Sequence, residues 1–181
     1  SKYFLTRFKK ICHQQGYAYK MFGGWSTDTS ETRAIISWEN LRKGNSLSIS
    51  ESKNMIQFLP MTINLPTLKE YRLRDFGFDE SARQHDWMTM LRNISPDERE
   101  YLRSCLHNGE RFGEEPRITI STIHQVKGGE ADNVALVTDM GGLSWKASAL
   151  DEEIRVWYVA VTRARKNLFL VSPRTIKFFD M

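Results

Sequence analysis

Over Lys2–Gln15 the apolar residues Phe4, Leu5, Phe8, Ile11 and Cys12 recur at helical spacing, and Gly16 stands where such a helix would end. A short strand is expected at Tyr17–Phe22, broken by Gly23-Gly24. Residues 25–112 then change texture. Ala34, Ile35, Trp38 and Leu41 share one helical face, and Trp87, Met88 and Leu91 suggest a second. Ser95-Pro96-Asp97-Glu98 reads as a capping box with proline at the first helical position, opening a helix that Gly109 can close. The segment bracketed by Pro60 and Pro66 fits no element. Beyond it, two β-branched runs, Ile118–Ile123 and Val134–Val137, flank a polar loop. Asp151–Lys166 carries the clearest helical period. Ile154, Trp157, Tyr158 and Val161 form its apolar face, with Glu152, Arg155, Arg163 and Lys166 opposite. Asn167–Val171 is expected as a buried strand, and residues 172–181 carry no strong pattern.

The chain is 181 residues long and 40% hydrophobic, enough for one full domain or one domain with an insertion. Its net charge of +4 is unevenly placed. Residues 25–112 hold 12 Lys and Arg against 13 Asp and Glu, whereas the flanks hold 14 against 9. A near-neutral helical stretch between basic α/β flanks reads as an inserted subdomain at 25–112, with 1–24 and 113–181 forming one discontinuous domain. Cys12 and Cys105 are isolated, which indicates neither a disulfide framework nor a zinc site and fits a reducing cytoplasmic setting. No apolar run approaches the roughly 20 residues of a membrane span. The chain runs almost at once into patterned sequence, as a fragment of a longer protein would.

The candidate chemistry lies in two segments. In Thr122-Ile-His-Gln-Val-Lys-Gly-Gly-Glu130, hydroxyl, imidazole, ammonium and backbone N–H groups suit a phosphate, while Glu130 would repel one but could accept from a sugar hydroxyl. Together they suggest a nucleotide. The run Thr162-Arg-Ala-Arg-Lys166 offers planar, permanently charged groups that can stabilise a transferring phosphoryl group. Each segment also has a plain alternative: His124 and Lys127 as ordinary loop residues, and the cations as complements to a helix dipole. Trp25, Trp38 and Trp87 could stack on bases, but their Ile and Met neighbours favour a core role. His13, His85 and His107 are lone and carry no assigned role.

Taken together, the two segments resemble the UvrD/Rep-like family of superfamily 1 DNA helicases. Thr122–Glu130 is similar to motif V of that family, Thr-x-His-x-x-Lys-Gly-x-Glu. Asp151–Ala164 contains a match to its motif VI, Glu-Glu-x-Arg-x-x-Tyr-Val-x-x-Thr-Arg-Ala. Leu5–Gly24 resembles the segment after motif IV, so the resemblance spans both ends of the chain and omits 25–112. Ile154 stands where a second Arg is usual, and Gly129 where Leu is frequent. Lys127-Gly128 and the spacing from Arg155 to Tyr158 favour this branch over the one that carries Ser-Gln-Gly in motif V and moves with opposite polarity.

The resemblance implies an α/β, RecA-like domain of the P-loop NTPase type, with a parallel sheet interrupted by a mainly helical accessory insertion. It also implies the C-terminal part of an ATP-dependent helicase moving 3′→5′ on single-stranded DNA. On this basis Arg163 is the arginine finger, and Glu130, Gly128 and Arg163 bind ATP. Thr122, His124 and Lys127 contact the DNA backbone, and Arg155, Tyr158 and Thr162 are structural motif residues, Arg155 as an internal ion-pair partner. ATP and Mg²⁺ would be shared with an N-terminal RecA-like domain, and no metal ligand is expected here. The alternative is a non-catalytic nucleic-acid- or protein-binding module that kept the fold. The chain contains no Gly-x-x-x-x-Gly-Lys-Ser/Thr phosphate loop and no strand-borne Asp-Glu pair. The isolated chain should therefore show no magnesium-dependent ATPase activity above background in a phosphate-release assay; robust turnover would contradict an ATP site held mainly elsewhere.

Overall fold

A computed structural model describes residues 2–126, 128–140 and 150–179. It divides into two compact units, Lys9–Thr119 and Ser1–Phe8 with Ile120–Met181. The expected insertion at 25–112 falls wholly within the first. Among the described residues no helix is long and apolar enough to cross a membrane.

The first helix, α1, spans Lys2–Gln15, and Gly16 follows it at φ +69, the left-handed position that glycine adopts without a Cβ penalty. The expected strand shortens to β1, Tyr19–Met21. Gly23-Gly24 does not end the pattern. Phe22 and Gly23, both at positive φ, make the tight two-residue turn that matches strand twist, and β2, Gly24–Trp25, folds back antiparallel with Met21 opposite Gly24.

The helical part follows from its caps. Thr29 and Thr32 form a reciprocal box that opens α2, Ser30–Arg42. Next comes β3, Leu47–Ser48. Ser48 and Glu51 then form a second box, opening α3, Ile49–Ile56. Strand β4, Glu70–Tyr71, pairs antiparallel with β3, a small sheet that the sequence pattern did not signal. A single turn, α4, covers Trp87–Met90. The longer α5, Pro96–His107, opens on Ser95 with Pro96 in its first turn, and Glu98 N–H donates to Ser95 Oγ. Only that half of the expected capping box forms.

Trp38, Leu41, Leu47, Met55, Leu59, Leu91, Leu102 and Cys105 are the large, fully buried side chains of this unit. Trp38 donates Nε1–H to the His85 carbonyl at 3.0 Å, so its one polar atom is satisfied inside the core. Trp87 is buried as well, whereas Trp25 is half-buried. The unassigned segment at 60–66 is tied down from outside: Tyr71 Oη donates to the Pro66 carbonyl at 2.8 Å, and Asn93 Nδ2 to the Leu59 carbonyl at 2.7 Å. Burial pushes the Cys105 thiol up to about 11, which keeps it protonated.

Strand β5, Ile118–Ile120, runs out of the Lys9–Thr119 unit into the candidate loop and is shorter than the expected 118–123. The Thr122 carbonyl accepts from the backbone N–H of Gln125 and Val126, which turns the chain before the run ends. Strand β6, Ala131–Val137, and β7, Ala164–Val171, pair in parallel, with α6, Leu150–Val161, between them in sequence. Helix α6 stops five residues short of the expected Lys166. Ala164 instead pairs opposite Ala131, so Arg165 and Lys166 lie on a strand. The packing face also differs. Trp157 and Ala160 are buried with Leu136, while Ile154 and Tyr158 are 47% and 68% exposed. Leu168, Phe169 and Leu170 are likewise exposed, so β7 is not the buried strand its composition predicts; among the described residues it pairs with β6 alone. At the end of β6, burial pushes the Asp139 carboxyl up, but hydrogen bonds from Thr175 and from the Arg174 backbone outweigh this and hold it below its ordinary value.

Gly16 gives the sharpest stability test. A Cβ there would lie 2.3 Å from Ser104 Cβ, in addition to occupying a left-handed conformation. Gly16→Ala should therefore destabilise by about 1–3 kcal/mol, read as a lower denaturation midpoint; an unchanged midpoint would contradict this packing of α1 on α5.

Candidate functional site

The loop between β5 and β6 is shaped by its own polar groups. Thr122 Oγ1 donates to Gln125 Oε1 at 3.0 Å, while Gln125 N–H returns to the Thr122 carbonyl at 3.0 Å. Thr122 is half-buried by this exchange, and Ile123 packs toward the Leu136–Trp157–Ala160 cluster. The intervening His124 is left exposed. Gly128 sits at φ +84, a conformation that side chains rarely take. Gly129 N–H donates to the Val126 carbonyl at 2.9 Å, and Glu130 emerges exposed just before β6. Lys127, expected as a DNA contact, lies outside the described residues.

The end of α6 supplies the second half. Helix termini leave carbonyls without intrahelical donors, and the Val159 carbonyl receives two replacements: Thr162 Oγ1 at 3.0 Å and Arg163 Nε at 2.9 Å. Arg163 Nη2 donates to Thr162 Oγ1 and Nη1 to the Gly129 carbonyl, both at 3.2 Å. In the backbone, Ala131 N–H donates to the Arg163 carbonyl at 3.0 Å. Side chain and main chain of Arg163 thus both hold the exit of the loop. Of the five guanidinium N–H donors, these contacts use three.

Other expected residues are arranged differently. Arg155 is exposed and, among the described residues, makes no ion pair, unlike the internal partner expected; it lies on the polar face of α6, away from buried Trp157. Tyr158 is exposed beside it, on the side where Ile154 also lies. Arg165 and Lys166 are drawn to Asp132, at 3.0 and 2.5 Å, so they do not form an open cationic patch at the helix end. Exposed pairs of this kind contribute little stability, but they set the local charge. Asp132, Gln125 and the Gly129 carbonyl did not stand out in the sequence. Asp132 becomes legible only once β7 begins at Ala164, because Arg165 and Lys166 then lie on the neighbouring strand. Among the described residues no group of His, Cys, Asp and Glu side chains is placed to hold a metal ion.

The loop and the helix end that meet here are the two segments similar to motifs V and VI. A family model described as the UvrD-like helicase C-terminal domain matches residues 80–175, a span that contains both and more than half of the chain. The chain belongs to the UvrD-like helicase C-terminal domain family. The parallel β6–β7 pair joined through α6 is the α/β architecture that the family's RecA-like fold implies. No curated protein and no solved structure was found to match.

Proposed function

We propose that this UvrD-like domain is the second RecA-like domain of an ATP-dependent DNA helicase, coupling ATP hydrolysis to 3′→5′ movement on single-stranded DNA and duplex unwinding. The observation that carries the reading is the contact of Arg163 Nη1 with the Gly129 carbonyl, which joins the arginine of motif VI to the loop of motif V. Family membership supports the helicase context, and the motif resemblance supports the assignment of ligands.

In this mechanism the nucleotide binds between an N-terminal RecA-like domain and this one. Arg163, with two N–H donors to spare, points its permanent charge at the transferring phosphoryl group, where negative charge develops. Glu130 is exposed and accepts from the ribose hydroxyl, while Gly128 lets the backbone approach. Thr122, His124 and Lys127 meet the single-stranded DNA backbone on the same loop. Mg²⁺ bound with ATP would neutralise phosphate charge, its ligands being assigned to the N-terminal domain. The segment 25–112 is an accessory insertion, and the protein works in the cytoplasm.

The test uses the protein that joins this chain to its first RecA-like domain. Arg163→Ala should lower DNA-stimulated ATP turnover by roughly 10³-fold or more, and Glu130→Ala should lower it by weakening nucleotide binding. Steady-state phosphate release checks both. Normal turnover in both variants would overturn the motor reading in favour of a non-catalytic module.

A further inference from the structure

Resting on the motor reading above, we propose that Thr162 is a positioning residue that fixes the guanidinium plane of Arg163 before nucleotide arrives. The argument begins with the direction of the Thr162 hydroxyl. Its hydrogen is committed to the Val159 carbonyl at 3.0 Å, so its lone pairs are left to accept, and Arg163 Nη2 donates to them at 3.2 Å. Arg163 Nε donates to that same Val159 carbonyl at 2.9 Å. One orphan carbonyl at the helix terminus therefore orients both partners, and the Gly129 carbonyl secures the third edge of the fork. An arginine side chain has many rotamers, and holding it in one of them removes the ordering cost from the chemical step. Of the three acceptors, two are backbone carbonyls that substitution cannot delete. Thr162 is the one that a side-chain change removes.

A group held in this way matters most where charge develops, so its loss falls on kcat more than on KM. A purely structural cap predicts otherwise: loss of the hydroxyl would lower stability and leave turnover by the folded protein alone. Thr162 is exposed, so Thr162→Val exchanges the hydroxyl for a methyl group without opening a buried void.

In the protein that includes the first RecA-like domain, Thr162→Val should lower kcat for DNA-stimulated ATP hydrolysis by roughly ten-fold with KM for ATP nearly unchanged. Thr162→Ser should restore it. An unchanged kcat in Thr162→Val, a loss confined to KM, or an equal loss in Thr162→Ser would overturn the proposal. Thr162→Ala is read by the same criteria if the valine variant does not fold. Arg163→Ala separates the two levels. If it abolishes turnover while Thr162→Val keeps it, the positioning role alone fails; if it retains turnover, the motor reading fails and takes this role with it.

Discussion

The contact between Arg163 and the Gly129 carbonyl is the constraint on which the candidate site depends. It joins two segments more than thirty residues apart, and it forms only because β6 and β7 pair in parallel with Ala131 opposite Ala164. That register places the last turn of α6 beside the last residues of the loop. A shift of one residue would turn alternate side chains to the other face and take Arg163 away from Gly129. Sheet register, helix length and loop geometry are thus a single requirement. The backbone bond from Ala131 N–H to the Arg163 carbonyl meets it a second time, in the main chain.

The Lys9–Thr119 unit is organised by different forces. Its core is built around Trp38, Leu41, Met55 and Leu102, and its helices begin at side-chain caps. Much of its irregular chain is held by single donors to backbone carbonyls, such as Asn93 on Leu59 and Tyr71 on Pro66. This suits a segment with little regular strand, because buried backbone groups outside helices and sheets still need partners. Its nearly balanced charge also makes a strong electrostatic grip on a nucleic acid unnecessary to explain it.

Features set by local chemistry were legible in the sequence. The span of α1, the stop at Gly16, the opening of α5 on Ser95-Pro96 and the core placement of Trp38 and Trp87 follow from spacing and capping that neighbouring residues decide. The Ser48-x-x-Glu51 box at the start of α3 is local in the same sense. Features set by distant pairing were not legible. Helical periodicity ran on through Lys166 because nothing local marks the point where β6 captures the chain at Ala164. The same limit applies to the packing face of α6: Trp157 and Val161 pack with Leu136 as expected, while Ile154 and Tyr158, equally apolar by type, are exposed, because only the position of Leu136 selects between them. In the site, the residue types announced phosphate and sugar chemistry, but the carbonyl that anchors Arg163 is a backbone atom with no signature in composition.

The central claim is that the Thr122–Glu130 loop and Arg163 behave as one element. The most direct measurement is amide hydrogen exchange on the protein that includes the first RecA-like domain, with single-stranded DNA added in the absence of nucleotide. DNA is assigned contacts only on the loop, so a coupled element predicts altered exchange at Thr162–Ala164 together with Thr122–Val126. Altered exchange in the loop with none at Thr162–Ala164 would contradict it.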